Sequence, residues 1–446
     1  MSENSLFTTK SIKKLIIPLI FEQFMIVMVS LFDTLFLATT SESALAAFSL
    51  VDNINLLLMQ VFMVIGAGGS IIAAQYIGSR DSANAENTAN QTTLMVLLVS
   101  LAIALPAILL NGPLLRAIYP KVSPVIMRFC QQYFLLSAIS YPAYALYNGA
   151  TSLLYAQSQS RLSMVTSVAM NLIKILLNFV LIRAMNMGIQ GAGLATIVSR
   201  LTGAVMANRF LMNPHMQIHY TRPIKIRFDR GIIKRILSVA LPSGTENIIF
   251  LACKLVIGIM IAGYSGAMIA ANAAANTISS YISIPGNAIT LAAITIVSQC
   301  VGAGSIEEAK RNTIKLQIVT MISIAVLSVM VLIAVNPVVN MLGLSPEAAM
   351  HTRTIVILYC ILAIFFWAPA FGLPGSLRAA GDNRFVMLAA VFSVVVFRTG
   401  GSYLLGNVMG LQVQGIWYAM YADWVVRSAF FLFRFKSGKW LRHHLI

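Results

Sequence analysis

The feature that most constrains this chain is that its sequence occurs twice, in an almost unbroken run of apolar segments. A shift of 224 lays the second half on the first without a gap from Pro18 to Ala85. Pro18 falls on Pro242, Glu22 on Glu246, Leu31 on Leu255, Ala46 on Ala270, Ile54 on Ile278, Gln75 on Gln299, Gly78 on Gly302 and Ala85 on Ala309. Coincidences between apolar residues are cheap in such a composition; those at Pro, Glu, Gln and Gly are not. Further on, Arg161 meets Arg384 after a slip of one position, and MGIQG (187–191) meets MGLQVQG (409–415) with two positions inserted.

The composition says what the repeated unit is made of. The chain has 446 residues, 58% hydrophobic and 10% charged, with a mean hydropathy of +0.82. Soluble domains run near 45–50% apolar and about 25% charged. A water-soluble core cannot hide this much apolar surface, which excludes a soluble enzyme, a disordered chain and a secreted disulfide scaffold. One bilayer span needs roughly 20 apolar residues. Runs bounded by Gly, Pro, Asn and charge clusters predict twelve helices, at 15–38, 44–76, 91–111, 122–157, 162–186, 189–212, 236–262, 266–300, 312–341, 352–379, 384–406 and 411–434. The expected fold is all-α and integral to the membrane, twelve transmembrane helices as two pseudo-symmetric six-helix bundles. The expected divisions are an N-lobe at 1–212, a basic cytoplasmic linker at 213–235, a C-lobe at 236–434 and a basic cytoplasmic tail at 435–446. Six spans per half is an even number, so both halves enter the membrane in the same sense. They are then related by an axis along the membrane normal, and substrate sites in such folds lie between the repeats.

Thirty-one Lys and Arg against fourteen Asp and Glu give a net charge of +17. In a soluble chain that would suggest nucleic acid. Here it follows from basic cytoplasmic loops, and no nucleic-acid role is expected. With the N-terminus and every second loop inside, 21 cations fall on that side. Only Arg116, Lys121, Arg128, Arg183 and Arg353 fall on the other. Both termini are therefore expected in the cytoplasm of a multi-pass plasma-membrane protein, with the first span as its own insertion signal. Cys130, Cys253, Cys300 and Cys360 lie in apolar stretches at no metal-ligand spacing and read as core residues.

A charge at mid-membrane costs at least about 2.5–3.5 kcal/mol on insertion scales, so each one needs a reason. Glu22, Asp33, Asp52, Glu246 and Asp423 fall in predicted spans, as do Lys174, Arg200, Lys254, Arg398 and Arg427. Glu22 and Asp33 are close to three helical turns apart and share a face of span 1, as expected of a cation or proton site or of a structural ion pair. Lys174 and Asn178 are one turn apart on span 5. If span 5 neighbours span 1, Lys174 can compensate Asp33 or Glu22 as a functional counter-ion or as a permanent salt bridge. Glu246 and Lys254 lie about 80° apart round span 7 and about 12 Å apart along it, so each needs another partner, and Arg398 is a candidate for Glu246. Asp423 and Arg427 have the i, i+4 spacing of a structural helix ion pair. Asp52, near the start of span 2, reads as a polar end residue.

Pro18, Pro142, Pro242, Pro285 and Pro369 fall inside predicted helices, where each removes a backbone hydrogen bond and can kink its helix. Tyr281, Trp367 and Trp417 are candidate stacking surfaces or interface anchors. Together with Glu246, Gln75, Gln299, Asn276, Lys254 and Arg398, residues Tyr281 and Trp367 form the expected lining of a substrate cavity. There is no HExxH, P-loop, GxSxG or aspartate-rich cluster, so no enzyme, metal or cofactor is expected. Without an ATP site, uphill transport must run on an ion gradient.

The chain resembles the multidrug and toxic compound extrusion family over nearly its whole length. The most specific stretches are LPSGTEN (241–247) and AANAAANTISSYISIPGNAITLAAITIVSQCVGAGSIEEAKR (270–311), similar to the family's Pro-x-x-x-Glu start and its Pro-Gly and Gln-x-x-Gly-x-Gly ending. IPLIFEQ and FDTLFLA place Asp33 fifteen positions after Pro18, and MGIQGAGLAT (187–196) resembles the family's opening of span 6. The resemblance implies a monomeric antiporter that alternates between outward-open and inward-open states. It would export cationic or amphipathic organic compounds against protons or sodium. Asp33 takes the place of the N-lobe coupling carboxylate, and Asn178 falls where members carry Asn or Asp. Lys174 departs from the pattern, standing where members often have an uncharged Asn. Phe250 and Trp367 stand where members with a C-lobe sodium site place carboxylates, which favours protons over sodium. The alternatives are a lipid-linked oligosaccharide flippase of the same superfamily and a membrane-embedded lipid transferase.

Overall fold

The structure is a computed structural model that describes residues 6–38, 40–220, 228–442 and 445–446. Arg222, Lys225 and Arg227 of the expected basic linker lie outside the described residues, as do His443 and His444 of the tail. Two compact units divide the chain, Thr9–Ala240 and Leu241–Leu445.

In the first unit α1 is Thr9–Ala38, α2 Glu42–Gly78, α3 Ser82–Leu109, α4 Asn111–Ile118, α5 Pro124–Ile139, α6 Tyr141–Ala156, α7 Ser160–Asn178 and α8 Gly188–Leu211. A π-helical turn, Phe179–Ala184, prolongs α7. Next, α9 (Arg230–Ala262) begins inside the expected linker, and its first residues, up to Ala240, group with the first unit. The second unit continues with α10 (Gly266–Gly302), α11 (Ile306–Met341), α12 (Pro346–Trp367), α13 (Leu373–Ala379), α14 (Asn383–Ser393) and α15 (Gln412–Lys436). π turns occupy Ala368–Gly372, Val394–Gly400 and Tyr403–Val408.

Grouped end to end, these helices make the twelve expected rods. Among the described residues nine are long and apolar enough to cross a membrane by length and composition. The other three rods are α5 with α6, α8, and α15. The first is broken at Ser140 into two pieces of 16 residues, and the last carries Asp423, Arg427, Arg434 and Lys436. The break corrects the expectation for Pro142. It stands in the first turn of α6, where a missing N–H costs no helical bond. Pro18 and Pro242 do lie inside α1 and α9, and Pro369 lies in the π turn after α12.

The duplication is visible in local structure. Ser41 and Ser265, which the repeat superimposes, cap α2 and α10 by accepting from the N–H of Ala44 and of Met268. The π turns Phe179–Ala184 and Tyr403–Val408 are related by the same shift at both ends. Each closes with the same hydrogen bonds, Met185 to Val180 and Met187 to Leu181 in one, Met409 to Leu404 and Leu411 to Leu405 in the other. Gly191 and Gly415 pack on the backbones of Leu181 and Leu405. The two-position insertion expected within 409–415 is therefore absent, since Met187 corresponds to Leu411. The slip of one at Arg161 and Arg384 is real and local. A π turn is a single insertion in an α-helix, and the turn Val394–Gly400, which has no counterpart in α7, restores the original register.

Candidate functional site

Asp33, on α1, is gripped from α7. Lys174 Nζ lies 2.5 Å from its Oδ2, and Asn178 Nδ2 donates to Oδ1 at 2.6 Å. One helical turn separates the two donors, so α7 presents an ammonium and an amide to the two oxygens of one carboxylate. Asp33 and Lys174 keep 9% and 19% of their side-chain surface exposed. Asp52, half-buried on α2, lies within electrostatic reach of Asp33, Lys174 and Arg200. Arg200 donates to Ser140 Oγ at 2.7 Å and to Met59 Sδ at 3.1 Å, with its guanidinium 4.8 Å above the Tyr144 ring.

Glu22 shares the face of Asp33 but not its partners. It is buried, and only hydroxyls serve it. Tyr155 donates to Oε1 at 2.8 Å, and Ser163 Oγ lies 3.2 Å from both oxygens. No cation pairs with it among the described residues. In the second unit the corresponding Glu246 pairs with Arg378 at 2.6 Å. The expected partner, Arg398, is engaged elsewhere. The slipped register that matches Arg161 to Arg384 also matches Tyr155 to Arg378. The repeat thus places a phenol and a guanidinium at the same point against the same acid. That equivalence was available in the sequence, but Arg378, at the end of its expected span, counts there only as one of the cations on the cytoplasmic side.

Asp423 is buried in the second unit. Arg427 Nε donates to its Oδ1 at 2.9 Å, Ser393 Oγ donates to the same oxygen at 2.5 Å, and Arg398 stays 3.8 Å from Oδ2. Arg398 lies instead 5.1 Å over the ring of Phe250.

The expected cavity lining is divided between the two units. Gln75 belongs to the first unit and the others to the second. Gln75 is buried, Gln299 half-buried, and both are engaged by neighbours. Asn276 is exposed and donates back to Asn272 O; Tyr281 is half-buried and Lys254 exposed. Trp367 is a core residue, contrary to the expectation of an open stacking surface. Its ring closes on Gly286 and lies 5.6 Å from Phe371, in the cluster that holds Tyr359, Trp417 and Trp424. The i, i+4 pair Asp423–Arg427 forms, with Arg398 as a distant third member.

The MatE family model matches residues 18–180 and 242–404, two stretches related at both ends by the shift that superimposes the halves. The uncharacterized transporter YisQ of Bacillus subtilis is 23% identical over 418 residues, covering 92% of this chain and 90% of that one. The probable multidrug resistance protein NorM of Thermotoga maritima is 22% identical over 447 residues, covering 97% and 93%. Among solved structures, an outward-facing multidrug resistance MATE family transporter of the MOP superfamily superposes with a TM-score of 0.89 at 17% identity, over 96% of each chain.

Proposed function

The chain belongs to the multidrug and toxic compound extrusion family, and from that premise we propose that it is a proton-driven antiporter exporting cationic or amphipathic organic compounds. It is a multi-pass membrane transporter and not an enzyme. The observation that carries the proton reading is the grip of Lys174 and Asn178 on Asp33. A carboxylate that ties two spanning helices together through charge is a switch that one proton can open. Protonation of Asp33 from outside removes the charge that holds Lys174. The ammonium must then find another acid in a medium where an unpaired charge is costly, and Asp52 is within its electrostatic reach. The tether between α1 and α7 loosens, α1 adjusts around Pro18, and substrate leaves. Loss of the proton to the cytoplasm restores the pair. Lys174 also disfavours sodium, because it already places a cation against Asp33.

The monomer is the transporting unit, with both termini in the cytoplasm and the basic loops on that side. The test is dye extrusion in everted vesicles with the proton and sodium gradients collapsed separately. Asp33→Asn is expected to abolish dependence on the pH gradient. Full proton-driven extrusion by that variant would end the proposal. A lipid-linked oligosaccharide flippase is the second reading. Arg398 and Lys254, which have no hydrogen-bond acceptor among the described residues, favour it, and a lipid-linked substrate assay run beside dye efflux separates the two.

A further inference from the structure

The five cations singled out in the predicted spans, away from the basic loops, fall into two groups. Lys174, Arg200 and Arg427 all donate to named acceptors. Arg427, for example, uses Nε on Asp423 and Nη2 on the carbonyl of Ala390. Arg398 and Lys254 do not. Arg398 carries five N–H donors, and none has an acceptor within hydrogen-bond distance among the described residues. Its nearest acid is Asp423, whose Oδ2 lies 3.8 Å away, beyond hydrogen-bond distance, while Arg427 and Ser393 both hold the other oxygen, Oδ1. One carboxylate facing two guanidiniums leaves a unit of positive charge in apolar surroundings. Arg398 also keeps 21% of its side chain exposed.

The duplication explains how this arose. In the register of the repeat, Arg398 corresponds to Lys174. The acid that accompanies Lys174, Asp33, corresponds to Ile257. The second unit therefore has the cation and lacks the acid. Arg398 rests instead on Phe250, and Lys254 follows Phe250 by one turn on the same face of α9. A planar guanidinium on an aromatic ring, with its donor edge unused, suits bidentate recognition of a carboxylate or phosphate.

We propose that Arg398, assisted by Lys254 and positioned by Phe250 and Asp423, is the recognition site for an acidic group, a carboxylate or phosphate, on amphipathic compounds the protein carries. The inference deepens the transport reading and rests on it for the word "carries", but binding can be tested alone. Full-length protein in neutral detergent is titrated with carboxyfluorescein and with the cationic dye rhodamine 123, following tryptophan quenching. Wild type is expected to bind both. Arg398→Gln is expected to weaken carboxyfluorescein at least tenfold while rhodamine stays within twofold. Arg398→Lys should recover part of the loss, and Lys254→Met should weaken the acidic dye by a smaller factor.

An equal loss of both dyes in Arg398→Gln and Arg398→Lys makes Arg398 structural and overturns the proposal, as does a wild type without affinity for carboxyfluorescein. Competition by phosphatidylglycerol but not by benzoate assigns the acid to a lipid headgroup. Competition by both assigns it to soluble acids as well. Selective binding with no transport in vesicles leaves the anion site standing and removes the export reading alone.

Discussion

Glu22 and Glu246 occupy equivalent positions and meet opposite chemistry. Glu246 has a guanidinium, while Glu22 has a phenol and a serine hydroxyl. Breaking a buried ion pair from one side strands the other charge and costs roughly 3–5 kcal/mol. This pair is partly exposed, so Arg378→Ala should cost about 2 kcal/mol, read as a lowered melting midpoint in detergent. Tyr155→Phe removes one of several hydrogen bonds and should cost about 1 kcal/mol. A larger loss for Tyr155→Phe than for Arg378→Ala would show that Glu22 depends on its phenol more than Glu246 depends on its cation. The sequence marked both glutamates through the repeat but misassigned the partner of Glu246. Arg378 sits at the end of its expected span, beside the polar run Gly381–Arg384, and so reads as a cytoplasmic-side charge, whereas Arg398 sits in an apolar run and so demands a partner. Proximity across helices, which decides the pairing, has no signature in either run.

Helical irregularities were the least legible elements. The length of each rod follows from apolar runs, and α1 and α2 emerge close to their expected limits. The π turns do not, because one extra residue changes no hydropathy pattern. Only the change of repeat spacing from 223 to 224 betrays the turn Val394–Gly400. The break at Ser140 was hidden in the same way, inside an apolar stretch with no polar gap. The repeated Gly191 and Gly415 offer a test at this scale. A Cβ at Gly415 would meet the Leu405 carbonyl carbon at 2.6 Å, and one at Gly191 the Leu181 carbonyl carbon at 3.1 Å. Backbone cannot step aside as a flexible side chain can. Gly415→Ala should therefore lower the melting midpoint by several degrees and Gly191→Ala by less. Equal effects would mean that both turns yield alike.

For the whole molecule, fold class and family were legible because apolar content, helix count and the doubled pattern point the same way. The sidedness of the chain is a separate matter, argued from charge alone. It predicts that Ser437→Cys reacts with a membrane-impermeant maleimide only in inside-out vesicles and Lys121→Cys only in right-side-out ones. The four native cysteines are buried and free, which keeps the background low. Reaction of both variants from the same side would reverse the proposed topology for one of them.

The π turn Val394–Gly400 decides which side chain stands opposite Lys174 in the repeat. At a spacing of 223 that counterpart would be Phe397; at 224 it is Arg398. Losing the codon for Thr399 or Gly400 would carry the shorter spacing through the turn and bring an aromatic ring to the point the guanidinium now holds. Ligand preference in such a duplicated scaffold can thus be inherited as a reading-frame-neutral deletion or gain of three nucleotides, with no amino acid substituted anywhere.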